Sequence, residues 1–298
     1  MQEEELKGQV RQFYDQIGWQ KEAEGFYQNA RYEDLRPISS EYIHRCHMRV
    51  KRHIVASGDY LLDAGSGPVQ YDEYLTYSED YRYRVCMDLS IVALKEAKKR
   101  LGEKGIYVVA DIARLPFKPA VFDGIVSLHT IHHVPVEEKI SVYEGLYRCL
   151  KPGRSMVTVD GWTHVPLTGM MEFSIHAANR VRRWMGKIKS EGSDAPEPTP
   201  GTTNAEPLNN NAKEPVGTYV LKTSAKWFRK EMENRVAFKI LVWRSVSVKF
   251  LRGVIHPELG GKFWLKVLYR LEELFPRFFG ENGQYPIIVI EKPDTPKA

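Results

Sequence analysis

From Tyr60 to Gly161 short apolar runs alternate with helical patterns, a rhythm that admits few architectures. Strands that each lead into a helix make βαβ units, and such strands pair in parallel beneath the helices that connect them. The expected strands are 60–65 (YLLDAG), 83–90 (YRVCMDLS), 106–112 (IYVVADI), 122–129 (FDGIVSLH) and 155–161 (SMVTVDG). The fourth follows the turn-forming LPFKP, and its apolar centre suits a strand covered on both faces. Helices are expected over 91–101 and 136–150, the second closed by KPG.

Helical patterns over 3–17 and 39–56 precede this array, the second opening on the capping candidates Ser39 and Ser40 and stopping at Gly58. After the fifth strand the regularity ends. Residues 168–189 read as an amphipathic helix, and 190–217 are so rich in Pro, Asn, Ser, Thr and Gly that a disordered loop is expected. A helix over 224–234, a long strand over 237–251, a helix over 262–275 and a strand over 285–292 complete the chain. The expected class is α/β with a seven-stranded, mostly parallel sheet. It divides into N-terminal helices (1–58), a ligand-binding core (59–161), a lid helix with a loop (162–223) and the C-terminal part of the core (224–298).

Composition excludes several classes. Lys and Arg number 43 against 38 Asp and Glu, and an excess of five is too mild for a protein devoted to nucleic acid. Cys46, Cys86 and Cys149 are an odd number at wide spacing without a CxxC pair, which fits a reducing, cytoplasmic setting. The opening MQEEELKGQV lacks the basic and then apolar character of a secretory leader, and no run approaches the roughly 18 apolar residues of a membrane span.

The chemistry is concentrated in LLDAGSGPVQY, 61–71, where an acid closes the first strand and a Gly-x-Gly loop opens the next segment. Gly65 and Gly67 permit torsions and a close ligand approach that a Cβ would block. A nicotinamide site prefers a third glycine where this chain has Gln70 and does not call for Asp63, which weakens the plain dinucleotide reading. With CMDLS, VVADIARLPF, FDGIVSLHTIHHV and LKPGR following in order, the sequence resembles the class I S-adenosylmethionine-dependent methyltransferases, in the small-molecule, methyltransferase type 11-like branch. The resemblance covers roughly 60–161, and the two late strands match the family's antiparallel ending.

That resemblance implies a Rossmann-like fold, S-adenosylmethionine as cofactor, and a role for each matching residue. The Gly65 to Gly67 loop approaches the methionine part and ribose, while Asp63 orders the loop or meets the ammonium group. Asp88 accepts from the ribose hydroxyls and Asp111 from the adenine amino group, with Leu89 and Ile112 sandwiching the adenine. Leu128 lies beside the methyl donor, and Tyr14 in FYDQIGW sits where relatives carry an aromatic that closes over the cofactor. One departure is Val69, after Pro68, where the family often has a further glycine.

The implied reaction is methylation of a small molecule, foremost at a hydroxyl of a natural product, sugar or lipid-like compound; N- or C-methylation and a non-catalytic binding role are the alternatives. A hydroxyl must lose its proton, and His132 and His133 stand in the loop after the fourth strand, with Asp160 at the end of the fifth. His133 is the preferred base and Asp160 its orienter; the bland alternative is that the tandem His walls the pocket. His44, Cys46 and His47 share a helix without a third ligand at zinc spacing, so no metal is expected. The lid segment 168–189 mixes Met and aromatic residues with Arg and Lys, which reads first as a lid helix packed on its own domain with a solvated charged face; it also suits a bulky apolar acceptor, an acidic acceptor or a peripheral contact with an anionic membrane surface. No nucleic-acid partner is expected, and the oligomeric state is left open.

Overall fold

The computed structural model describes residues 2–19, 33–186 and 220–294. Its centre is one seven-stranded sheet in the order β3-β2-β1-β4-β5-β7-β6. The strands are β1 (Gly58–Ala64), β2 (Tyr81–Asp88), β3 (Gly105–Val109), β4 (Phe122–Leu128), β5 (Leu150–Val159), β6 (Phe238–Arg244) and β7 (Tyr285–Glu291). The first five pair in parallel, and β7 runs antiparallel to both β5 and β6. Strand order reverses between β1 and β4, so the crevice at their carboxyl ends is the place where such sheets take ligands.

The apolar runs explain the layering. Leu61, Leu62, Ile125, Val126, Met156 and Val157 have no exposed surface, because helices cover both faces of the central strands. The helices are α1 (Gln2–Phe13), α2 (Ser40–Lys51), α3 (Asp72–Thr76), α4 (Ile91–Leu101), α5 (Val136–Cys149), α6 (Thr168–Trp184), α7 (Ala225–Met232), α8 (Val248–Val254), α9 (Gly261–Leu274) and α10 (Pro276–Asn282). A wider π-helical turn, Tyr14–Gly18, continues α1. Ser90 caps α4 by accepting from the Ala93 amide at 3.1 Å, and Ser224 caps α7 by accepting from Trp227 at the same distance.

Several elements differ from expectation. The strand expected over 237–251 stops at Arg244, and α8 follows. Buried Glu272 accepts from the Ser245 amide at 2.9 Å and its hydroxyl at 2.6 Å, and Ser247 then caps α8 by accepting from Phe250 at 3.1 Å. The β-branched pattern carried no trace of that buried carboxylate. Helix α2 ends at Lys51, and Ser39 gives its hydroxyl to Asp34 at 2.6 Å instead of capping. β3 ends at Val109, so Asp111 and Ile112 lie in the turn beyond it; β5 begins at Leu150, so KPGR belongs to the strand. The short α3 and α10 had no periodic signal. The loop expected over 190–217 and the last residues of the 168–189 segment lie outside the described residues.

A polar cluster locks α2 and α9 to β6. Glu272, fully buried, also accepts from Tyr42 at 2.8 Å and from Arg49 at 2.9 Å. Buried Arg244 pairs with Glu33, and burial works against the Glu33 carboxylate while Arg244 and His47 hold it at about 2. His44 and His47 both turn to Glu73, at 2.7 and 3.5 Å.

Candidate active site

The carboxyl ends of β1, β2 and β4 meet beneath the N-terminal helix. Gly65 (φ 75°) and Gly67 (φ 54°) are both left-handed, and a Cβ on Gly65 would come within 2.2 Å of Thr130. Thr130 Oγ1 donates to the Gly65 carbonyl at 3.1 Å, pinning the loop to the end of β4. Val69 is also left-handed (φ 53°) and fully buried, so the position where the family resemblance favours glycine has kept glycine's backbone. Asp63 lies below the loop, its carboxylate gripped by Arg84 of β2 at 2.5 Å and 3.1 Å, which orders the strand end.

Asp88 joins the loop to β2. Its Oδ2 accepts from the Gly67 amide and its Oδ1 from Ser90, both at 2.9 Å, and desolvation pushes its carboxyl up to about 6. An ionised carboxylate offers about four acceptor positions, so two remain for a ligand's hydroxyls. Leu89 beside it is partly buried, and Ile112 is buried across the crevice. Asp111 closes its turn by accepting from Ala113 at 2.9 Å and accepts from Lys7 at 2.8 Å.

Lys7 is one of four contacts by which the N-terminal segment spans the crevice. It also reaches Glu138 at 2.6 Å; Asp15 accepts from Ser90 Oγ at 2.5 Å; Trp19 lies over Gly67; and Tyr14 bonds His133 Nε2 at 2.7 Å. Only Tyr14 was foreseeable. Lys7 and Asp15 sit on an amphipathic helix and the π-helical turn that continues it, with Trp19 just beyond, and their partners are far off in sequence.

On the acceptor side, the turn Ile131–His133 presents two imidazoles with ring centroids 4.1 Å apart. Asp160 pairs with His132, Nδ1 to Oδ1 at 2.5 Å, and not with His133 as the sequence reading preferred. The reason is the turn, which sends successive side chains different ways: His132 toward β5 and His133 toward Tyr14. Burial acts to raise the Asp160 carboxyl, but His132 outweighs it and holds it at about 2. A carboxylate so acidic is the acceptor, so His132 Nδ1 is the donor in this bond.

Leu128, partly buried, ends β4, and His129 after it is left-handed (φ 54°), with burial lowering its imidazole to about 3. The His129 ring packs edge-on against Trp243 and Tyr285, at 4.9 and 5.7 Å. Residues 220–223 return across this end: the Leu221 amide donates to His132 O at 2.7 Å and Lys139 donates to Leu221 O. These contacts, like Trp243 and Tyr285, were invisible in sequence because the elements meet only through the antiparallel end of the sheet.

Sheet order, glycine loop and strand-end acids together define a Rossmann-like α/β domain. Residues 62–158 match the family described as methyltransferase domain. An uncharacterised methyltransferase of Geobacillus sp. (strain WCH70) is 35% identical over 66 residues, 22% of this chain, and the match spans 31% of that protein's length. Among solved structures, phosphoethanolamine N-methyltransferase 1 of Haemonchus contortus, with phosphoethanolamine and S-adenosylhomocysteine bound, has a TM-score of 0.57 at 10% identity, covering 100% of this chain and 51% of that one. Geranyl diphosphate C-methyltransferase of Streptomyces coelicolor A3(2), with Mg2+, geranyl diphosphate and S-adenosylhomocysteine bound, has a TM-score of 0.51 at 14% identity, covering 96% and 97%. At these identities the likeness is one of fold.

Proposed function

We propose that the chain is an S-adenosylmethionine-dependent methyltransferase that methylates a hydroxyl of a small molecule. The cofactor, when bound, supplies a methyl group on a positively charged sulfur. The residues present fit it: a left-handed glycine loop whose Cβ positions are filled by neighbours, and an enclosed Asp88 with acceptor capacity to spare. The two solved relatives were bound to S-adenosylhomocysteine, which supports the same reading. In it Gly65 and Gly67 bring backbone groups to the cofactor, Asp88 holds the ribose, Asp111, Leu89 and Ile112 place the adenine, Asp63 fixes the loop through Arg84, and Leu128 and Tyr14 wall the methyl donor. Residues 59–161 with 224–298 form the binding core, 1–58 the cap and 162–223 the acceptor-side insertion.

The observation that carries the hydroxyl assignment is the His132–Asp160 pair. With Nδ1 committed to Asp160, Nε2 of His132 takes the acceptor's proton as its oxygen is methylated, and the Asp160 carboxylate stabilises the imidazolium. An amine acceptor that arrives unprotonated needs no such base. His133, bonded to Tyr14, belongs to the wall and to the closure of the cap. The test is transfer from methyl-labelled S-adenosylmethionine to a panel of hydroxyl and amine compounds. His132→Ala is expected to lower turnover on hydroxyl acceptors about 100-fold or more, with S-adenosylhomocysteine affinity retained. Equal turnover in His132→Ala, or transfer confined to amines, overturns the assignment.

A further inference from the structure

Helix α6 has two apolar faces. Met171 and Ala178 are buried and Ile175 packs on α8 at Gly253, whereas Met170, Phe173, Ala177, Val181 and Trp184 follow one another at helical spacing on the solvent side. Phe173 is 74% exposed and Trp184 86%. Helix α9 repeats the pattern: Leu265 and Tyr269 are buried, while Phe263, Trp264, Leu271 and Leu274 stand out, Leu274 at 71%. Phe278 of α10 is half exposed.

These helices form one frame. The Leu167 amide at the start of α6 donates to Asn282 O at the end of α10 at 3.4 Å. At the other end of α6, Arg182 binds Glu258 at 2.8 Å, three residues before α9 begins. Cations line the apolar stripes: Arg180, Arg183, Lys262, Lys266, Arg270 and Arg277 have no ion-pair partner among the described residues. Among the described residues the acids nearby are already engaged, Glu258 by Arg182, Glu273 by Arg49 and Arg52, and Glu281 by Arg229, which leaves Glu172.

We propose that the face formed by α6, α9 and α10 docks on an anionic lipid bilayer surface. Phe and Trp side chains insert at the level of the headgroups while the Lys and Arg rows meet lipid phosphates, a combination that neither water nor an uncharged apolar surface satisfies. A second copy of the chain is a poor occupant, since a two-fold contact would set the same six cations against each other. A duplex would meet the cations through its phosphates but would leave the continuous apolar stripes in water, whereas the headgroup region of a bilayer buries them. The α6 part of this face lies on the insertion that follows Asp160, so docking would present the acceptor side of the molecule to the membrane; the surface stands whether or not the chain transfers methyl groups.

Co-sedimentation of the full chain with sucrose-loaded vesicles tests this, using phosphatidylcholine alone and an equal mixture with phosphatidylglycerol. Expected is binding to the mixed vesicles, weakened by salt and at least about tenfold tighter than to phosphatidylcholine. Phe173→Glu with Trp184→Glu, and separately Lys266→Glu with Arg270→Glu, are expected to lose at least about tenfold, with unchanged melting temperature and S-adenosylhomocysteine affinity, while Trp184→Phe keeps binding. Absence of vesicle binding, binding indifferent to these changes, binding to duplex DNA in place of vesicles, or a concentration-dependent dimer abolished by the same substitutions overturns the proposal.

Discussion

Acidification is expected to weaken S-adenosylhomocysteine binding through Asp88. Its carboxyl stands at about 6 because the Gly67 loop and the β2 tip enclose it, and only the carboxylate form accepts from two hydroxyls. At about one pH unit below that value roughly one molecule in eleven is ionised, so apparent affinity falls about tenfold, or about 1.4 kcal/mol. Above about pH 7 the affinity should be flat. Folding responds in the opposite sense. The folded protein holds this proton up to about 6 while the unfolded chain releases it near 4, so the residue's contribution to stability is complete below about 4 and lost as pH rises through about 6. Weaker binding at about pH 5 is therefore not unfolding driven by Asp88. Titration calorimetry at pH values of about 7.5, 6 and 5 measures the effect, with Asp88→Asn as the non-titrating comparison, weaker throughout and flat in this window. A wild-type affinity equal at the two extremes, or the same slope in Asp88→Asn, refutes the assignment.

Three further outcomes are expected. Val69 occupies a left-handed position, which costs a side chain about 1–2 kcal/mol, so Val69→Ala should be less stable than Val69→Gly, the reverse of the usual order for a buried valine; urea unfolding of both decides it. Lys7→Ala removes the bridge from α1 to Asp111 and Glu138, and hydrogen exchange should quicken in residues 2–18 by an amount matching about 1 kcal/mol while β1 and β4 stay protected. Glu272→Leu strips buried Arg49, Tyr42 and Ser245 of their shared acceptor and should cost about 3–5 kcal/mol in chemical denaturation; a loss below about 1 kcal/mol means that Arg49 finds compensation elsewhere.

The parallel half of the sheet was legible because a strand buried on both faces needs an apolar centre, as Ile125 and Val126 give 122–128, and because strand and helix periods differ. The left-handed torsions of Gly65 and Gly67 and the place of Asp88 at the end of β2 were legible too, since backbone freedom and strand ends leave marks in a linear pattern. The end of β6 was not, because Glu272, from a helix later in the chain, takes Ser245 out of the strand direction. The partner of Asp160 was not legible either. His132 and His133 are equivalent in the text, and only the tight turn at Ile131–His133 sends one to β5 and the other to Tyr14.

What the sequence determined by itself is the class of fold and the glycine-bearing loop at the end of its first strand, since periodicity and backbone freedom are local properties. What the tertiary structure decided is which groups face each other across the crevice at the carboxyl ends of β1 and β4: Lys7 on Asp111, Asp15 on Ser90, and Asp160 on His132. Such pairings depend on distances between segments remote in the chain, and those distances exist only once the sheet has closed its order.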